Sequence, residues 1–126
     1  MRIRLSTKLL PKKDHPFRAL QTRIEYFKRK NGALYPSKDF DYKDVIQKFG
    51  ENPICYLTGE KINYIYGNYH LDHIVPPHRG GTNELENLQL LNPLVNLFKF
   101  DLLKEELINL CIKILKFNGF KVEKIT

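Results

Sequence analysis

Two short apolar segments in the middle of the chain are separated by a loop that cannot be helical. Residues 69–75 and 88–91 are rich in β-prone side chains, and the loop between them contains adjacent prolines at 76–77 and adjacent glycines at 80–81. An Asn-Pro pair at 92–93 provides an N-cap and a first helical turn directly after the second segment. The sequence therefore predicts a β-hairpin with a long connecting loop, followed at once by a helix.

Chemically distinctive side chains stand within this predicted motif. A carboxylate and an imidazole are adjacent at Asp72 and His73, and an amide follows in the first turn of the helix at Asn96. A carboxylate and an amide oxygen suit a hard cation such as Mg²⁺, which binds few protein oxygens and keeps several waters. Imidazole has an ordinary pKa of about 6.5, so a neutral fraction is available to act as a base. Hydrolysis of a phosphodiester needs both a divalent cation and a base that deprotonates the attacking water, so these residue types predict that reaction.

Residues 54–101 resemble the HNH endonucleases, in the variant whose final histidine is replaced by asparagine. The motif elements are, in order, Asp72-His73, then Asn87 within Asn-Leu-Gln-Leu-Leu, then Asn96 with Lys99. The resemblance implies an α+β fold with a ββα-metal core of the HNH or His-Me finger type and flanking helices. It also implies a metal-dependent endonuclease that cuts double-stranded DNA and leaves 5′-phosphate and 3′-hydroxyl ends.

The resemblance also implies roles for single residues. Asp72 and Asn96 would hold one Mg²⁺ or Mn²⁺ ion, and His73 would activate the attacking water. Asn87 would hydrogen-bond the loop backbone and hold His73 in orientation. Lys99 would lie near the phosphate or help to fix the helix.

One departure from the family concerns zinc. Many relatives carry two Cys-x-x-Cys pairs, whereas here Cys55 is followed by Thr58, and Asn92 and Val95 stand in the other pair. One remaining thiolate cannot complete a closed four-ligand site. We therefore expect no structural zinc, and expect apolar packing of the helices on the hairpin to replace it. That packing would involve Val45, Ile46, Phe49, Leu107, Cys111 and Ile114.

Positive charge is concentrated in the first part of the chain. The net charge is +7, and residues 1–50 carry thirteen Lys and Arg against five Asp and Glu. Such asymmetry favours a surface that follows a nucleic-acid backbone, although a merely solvated basic face is an equally good reading. Arg79 in the hairpin loop would clamp a phosphate or be an exposed loop arginine. The predicted DNA contacts are Lys99, Arg79, Arg18, Arg23, Lys28, Arg29 and Lys30.

The flanking segments are predicted to be mainly helical. Apolar periodicity predicts a helix from Pro16 to the Asn31-Gly32 pair, another over about 41–49, and one from Asp101 to Asn118-Gly119. In the last helix we expect a core-facing stripe formed by Leu103, Leu107, Leu110, Cys111, Ile114 and Leu115. Short strands are expected at 54–57 and 62–66, and an edge strand at 120–125.

The organisation that these patterns predict is one domain over residues 1–126. It comprises a basic helical part at 1–50, the ββα-metal core at 54–101, and a C-terminal helix and tail at 102–126. The chain has no apolar run of about 18 residues and no leader pattern, so we expect no membrane anchor. Two cysteines fit a reduced, cytoplasmic setting.

Two other functions remain open at the level of sequence. A nucleic-acid-binding module could keep the fold without cleavage, and a nuclease could instead cut RNA. A single active site cuts one strand at each engagement, so cutting both strands would need a homodimer or two visits.

Overall fold

The computed structural model describes residues 15–29 and 35–125, and structural statements below concern these residues. Its helices are α1 (Arg18–Arg29), α2 (Tyr42–Phe49), α3 (Pro93–Lys99) and α4 (Lys104–Phe117), and its strands are β1 (His70–His73) and β2 (Leu88–Leu91). Single 3₁₀ turns lie at Pro77–Arg79 and Leu85–Asn87. The predicted α+β class and the order strand, loop, strand, helix are confirmed. Lys30, the predicted end of the first helix and residues 1–14 lie outside the described residues.

The hairpin is antiparallel, with Asp72 opposite Gln89 and His73 opposite Leu88. Every residue of β2 is buried, as expected for a short strand covered on both faces. The amide of Ile74 donates to the carbonyl of Asn87 at 2.8 Å, which extends the pairing by one step into the loop. The register therefore fixes the backbone of Asp72 and His73 against a fully buried partner strand.

Helix α1 covers the hairpin and forms most of the core with it. Its apolar residues Leu20, Ile24 and Phe27 recur at helical spacing and are buried against Leu88 and Leu90. Helix α1 contacts both β1 and α2, and α3 contacts β1. The hairpin is thus held between α1 on one side and α3 at its end, which is where the candidate site lies.

Helix α2 begins with a complete capping box. The Asp41 carboxylate accepts hydrogen bonds from the amides of Lys43 and Asp44, and the Asp44 carboxylate accepts one from the amide of Asp41. The helix ends at Gly50, whose φ of +85° lies in the region that only glycine enters cheaply. The predicted helix over about 41–49 is confirmed.

The predicted strands at 54–57 and 62–66 are largely wrong. Only an isolated bridge between Ile54 and Lys61 is present, and residues 64–66 form a turn. The Asn63 carboxamide oxygen accepts hydrogen bonds from the amides of Ile65 and Tyr66, which offers the backbone a local alternative to strand pairing. Residues 120–125 form no strand, so the predicted edge strand is also wrong.

Helix α4 has the predicted apolar composition but not the predicted burial. Leu107 is buried, whereas Leu110, Ile114 and Leu115 are exposed and Cys111 is only half-buried. The predicted core-facing stripe is therefore wrong beyond the second turn, because no described element packs along the rest of the helix.

None of the helices within residues 15–29 and 35–125 combines the length and the apolar composition that a membrane span requires.

The stability of the folded state should depend on the ionisation of Tyr64 at alkaline pH. Its hydroxyl donates to the carbonyl of Gly50 at 2.8 Å, and burial, together with the neighbouring Tyr69, raises the pKa of Tyr64 from 10.0 to about 12. The folded state favours the neutral phenol, so this stabilisation is complete below pH 10 and is lost as the pH rises towards 12. We expect Tyr64→Phe to lose less stability than the wild type in this interval, as measured by urea denaturation at neutral and alkaline pH.

The matched control is Tyr66→Phe, because Tyr66 is exposed and forms no part of the core. This variant should lose stability with the same pH dependence as the wild type. If the free energy of unfolding fell equally with alkaline pH in Tyr64→Phe and in the wild type, the stabilising role of the neutral Tyr64 would be contradicted.

Candidate active site

The predicted catalytic and metal-binding residues meet in one cleft of about 710 Å³. Strand β1 contributes Asp72 and His73, and α3 contributes Asn96 and Lys99. The remaining wall is formed by the hairpin loop and the segment after α3, including Pro76, Pro77, His78, Gly81, Phe100 and Asp101. Residues that are 24 positions apart in the sequence, Asp72 and Asn96, therefore line the same space.

His73 is buried and held on two sides. Its ring stacks on Phe27, with centroids 4.2 Å apart and planes inclined by 19°. Its Nε2 lies 2.6 Å from Oδ1 of Asn83. Helix α1 and the hairpin loop thus fix both the plane and the rotation of the imidazole.

The contacts of Asn83 assign the tautomer of His73. The Nδ2 group of Asn83 donates to the backbone carbonyl of Lys28 at 3.0 Å, so Oδ1 is the atom that faces His73. An amide oxygen only accepts hydrogen bonds, and Nε2 of His73 must therefore be the protonated nitrogen. In the neutral ring, Nδ1 is then the nitrogen able to accept a proton.

Asn87 organises the loop between the strands. Its carboxamide accepts a hydrogen bond from the amide of Val75 at 2.9 Å and donates to the carbonyls of Val75 and Thr82 at 3.0 and 2.7 Å. A Cβ at Gly81 would overlap the carbonyl of Val75, so this close approach requires glycine. Asn87 bonds the loop backbone and Asn83 contacts the His73 ring, so the two predicted tasks of Asn87 fall on two asparagines.

Asp72 is paired with a lysine from α3. Nζ of Lys99 lies 3.2 Å from Oδ2 of Asp72, and both residues are buried. The pair ties α3 to β1 at the cleft. Lys99 points into the domain, which agrees with a role in fixing the helix and does not suit a long reach to the DNA backbone.

Asn96 contacts a second histidine of β1. Its Nδ2 lies 2.9 Å from Nδ1 of His70, and this spacing corresponds to a hydrogen bond that the amide donates. With Nδ2 turned to His70, the oxygen Oδ1 is the end of the carboxamide left for a cation. His70 and Asp72 alternate along β1 and so lie on the same face of the hairpin.

The predicted DNA contacts divide into two groups. Lys28 is 1% exposed and pairs with Glu25 at 3.3 Å and with Asp39 at 2.9 Å, so its prediction as a DNA contact is wrong. Arg79 forms a two-pronged pair with Glu106, at 2.6 and 3.3 Å, and hydrogen-bonds the carbonyl of Asp101. The Glu106 carboxylate holds the pKa of Arg79 above its ordinary value, so this arginine anchors α4 to the loop.

The other predicted DNA contacts lie on the outer side of α1. Arg23 sits over the ring of Tyr69 at 4.2 Å, and Arg29 lies 5.2 Å from the ring of Tyr35. Arg18 is half-buried, and its Nη1 has no hydrogen-bond partner among the described residues. These three arginines have no described carboxylate in an ion pair with them.

Hydrogen bonds connect the positions where relatives carry zinc ligands. The amide of Asn92 donates to Sγ of Cys55 at 3.3 Å, and Glu60 accepts from both Thr58 and Asn92. Burial raises the pKa of the Cys55 thiol, but hydrogen bonds from Asn92 and Thr58 outweigh burial and leave that pKa below its ordinary value. The expected apolar packing is present for Val45, Ile46 and Phe49, which belong to or pack against the core that includes the hairpin, and it is not found for Cys111 and Ile114. Polar contacts also join the two segments.

A structural zinc ion should be absent from the purified protein. In the described part of the chain, no group of three or more His, Cys, Asp or Glu side chains is arranged to hold a metal. A structural zinc would contribute roughly 10 kcal/mol or more to folding. We therefore expect a strong chelator to shift the thermal melt only slightly. Stoichiometric zinc in elemental analysis, or unfolding by the chelator, would contradict this prediction.

Sequence reasoning missed the residues that support His73. Phe27 belongs to the apolar stripe of α1 and carries no sign that it stacks on an imidazole. Asn83 lies in a loop whose composition indicates only a turn. Gln89, whose side chain donates to the carbonyl of His73 at 3.1 Å, is signalled only by being a polar residue in an apolar strand.

Comparison with known proteins identifies one part of the chain. Residues 54–94 match the family model described as HNH endonuclease, which is about a third of the sequence. No curated protein and no solved structure matches the chain. The matched segment contains the hairpin, its loop and the start of α3.

Proposed function

We propose, from the premise that residues 54–94 belong to the HNH endonuclease family, that this protein is a metal-dependent endonuclease acting on DNA. The observation that carries the proposal is the meeting of Asp72, His73 and Asn96 in one cleft. A carboxylate, an amide and an imidazole supply cation ligands and a base at one place. The cleft is open to solvent, and its volume of about 710 Å³ can hold a phosphodiester.

The donor set fits a magnesium or manganese ion. Asp72 and Asn96 offer one carboxylate and one amide oxygen, and Mg²⁺ typically binds one or two such groups and keeps water and phosphate oxygens for the rest. Such a bound ion would neutralise charge on the phosphate and stabilise the leaving oxygen. Lys99 pairs with Oδ2 of Asp72 and so orients this carboxylate before an ion arrives.

His73 is the proposed base. Its Nε2 donates to Asn83, so Nδ1 takes the proton of the attacking water and the Asn83 oxygen stabilises the ring as it becomes charged. Stacking on Phe27 keeps the ring from rotating away. Asn87 and Gly81 shape the loop that carries Asn83. They therefore help to position His73 indirectly, through Asn83.

The substrate is proposed to be double-stranded DNA, cut to leave 5′-phosphate and 3′-hydroxyl ends. The arginines of α1, on the side away from the core, support an anionic polymer as the partner. Each active site would cut one strand, so cutting both strands would need a homodimer or two visits.

The test is incubation of supercoiled plasmid DNA, linear duplex DNA and RNA with the protein and Mg²⁺ or Mn²⁺, followed by mapping of the product ends. Nicked plasmid with the stated ends is the expected result. DNA binding without cleavage would indicate a binding module, and preferential degradation of RNA would indicate a ribonuclease; either result would contradict the proposal.

A further inference from the structure

Two further clefts continue from the active site along the outer side of α1. The nearer one, about 460 Å³, shares Asn96 with the active-site cleft and is walled by α1 and the start of β1. The farther one, about 770 Å³, is walled by the first turns of α1 and by residues Ile65 and Tyr66. Thr22 and Arg23 line both of them. Because neighbouring clefts share lining residues, the two are together called here the α1 groove, which borders the active-site cleft at Asn96.

The helix side of the groove is one face of α1. Arg18, Thr22 and Tyr26 are each four residues apart, with Arg23 beside them, and they lie away from the face that packs into the core. Among the described residues that line the groove, none is an Asp or a Glu. Among its described lining residues the groove is therefore a positively charged path.

Arg18 and Arg23 both have features that favour binding of an anion. The guanidinium of Arg23 rests 4.2 Å above the ring of the buried Tyr69, which fixes its position without using its hydrogen-bond donors on a carboxylate. Nη1 of Arg18 is buried without a hydrogen-bond partner among the described residues, and a buried donor left in this state is costly. Arg18 lines the groove, so a rotation of its guanidinium towards a phosphate oxygen there would satisfy this donor.

Two exposed aromatic rings border the same path. Tyr66 is 89% exposed and Tyr26 is 70% exposed, although each is large and apolar enough to favour burial. Tyr64 and Tyr69, by contrast, lie in the core and are explained by packing. Exposed rings beside cationic side chains are the usual platform on which unpaired bases stack. In a duplex the base faces are covered by their neighbours, so these rings favour a single strand.

We propose that the α1 groove binds a short single-stranded segment of DNA next to the phosphodiester that is cleaved. The helix face from Arg18 to Tyr26 is about 12 Å long, which matches about three or four stacked nucleotides. Arg18 and Arg23 contact phosphates, and Tyr26 and Tyr66 stack on bases. This inference rests on the proposed function and adds that the enzyme engages DNA where a flank of the cleaved strand is unpaired.

The experiment measures binding of a fluorescent oligothymidylate by anisotropy in the presence of a chelator, so that no cleavage occurs. Tyr26→Ala and Tyr66→Ala should each weaken binding by about fivefold to a hundredfold, because each removes one stacking platform. Arg18→Ala should make the salt dependence shallower by about 0.7 in the log–log slope, the contribution of one phosphate on a single strand. Both tyrosines are exposed, so their replacement leaves the core intact.

Matched controls lie outside the groove. Tyr56 is 42% exposed and lies near Lys104, and Lys113 is an exposed cation on α4, so Tyr56→Ala and Lys113→Ala should bind the oligonucleotide like the wild type. Unchanged affinity in both groove tyrosine variants would overturn the inference. Tighter binding of an oligouridylate would overturn the assignment to DNA.

The test of the groove and the test of the proposed nuclease function can give independent outcomes. Plasmid nicking by a protein whose groove variants bind the oligonucleotide normally would overturn the groove and leave the nuclease assignment standing. Groove-dependent binding without any cleavage in Mg²⁺ would support the groove and overturn the nuclease assignment.

Discussion

Replacing His73 by glutamine should lower the rate of DNA cleavage by roughly 10²- to 10⁴-fold, the usual contribution of a general base. Glutamine keeps an N–H group that can donate to Asn83 but has no nitrogen that accepts a proton at neutral pH. The rate should be measured by plasmid nicking at saturating Mg²⁺. DNA affinity, measured in chelator, should change little, because His73 is buried and does not line the α1 groove.

The thermal melt of His73→Gln serves as the control for folding, since loss of the stack on Phe27 removes some packing. A folded variant that nicks plasmid at a rate close to that of the wild type would show that His73 is not the base.

Replacing Lys28 by alanine should destabilise the fold by about 3–5 kcal/mol, because it leaves buried carboxylate charge without its cation. Lys28 lies between Glu25 and Asp39, and Glu25 also accepts a hydrogen bond from Gln21 at 2.7 Å. The free energy of unfolding from urea denaturation measures this effect. The loss in free energy of unfolding should be the same in the absence and in the presence of DNA, since the lysine does not face solvent.

The next residue along α1 provides the matched control. Arg29 has the same charge but is exposed, and Arg29→Ala should change the free energy of unfolding by no more than about 0.5 kcal/mol. Equal stability of the Lys28→Ala and Arg29→Ala variants would contradict the structural role of Lys28.

The hairpin and the helix after it were predictable because their signals are local. Prolines and glycines in the loop exclude a helix, and the carboxamide of Asn92 accepts from the amide of Leu94 at 2.8 Å, as expected of an N-cap. The motif order then brought Asp72, His73 and Asn96 into one predicted site, and they do line one cleft. Local signals define each element, and the pairing of the two short strands brings Asp72 and Asn96 together.

The rest depends on contacts between distant segments, which the sequence does not encode locally. Asn83 holds His73 only because the carbonyl of Lys28, 55 residues earlier in the chain, fixes its amide. Lys28 looked like part of a basic surface, yet Glu25 and Asp39 draw it into the interior. The stripe of α4 is apolar along its length, but periodicity cannot tell whether another element covers it.

The local competition between hydrogen bonds explains the missing strands. Residues around Tyr64 have high β-propensity, but the side chain of Asn63 caps a turn there and the tyrosine ring enters the core from that turn. The β-propensity of these residues is real, but the turn capped by Asn63 determines their conformation.

The Mg²⁺ dependence of plasmid nicking by the wild type and by Asp72→Asn tests the proposed metal-dependent mechanism most directly. Asp72 provides the one carboxylate of the proposed pair of ligands, so its neutralisation should weaken metal binding. The wild type should show no nicking in chelator and a rate that saturates with Mg²⁺, whereas the folded Asp72→Asn variant should be much slower and need more Mg²⁺. Nicking by the wild type in chelator, or the same Mg²⁺ dependence in both proteins, would contradict the mechanism.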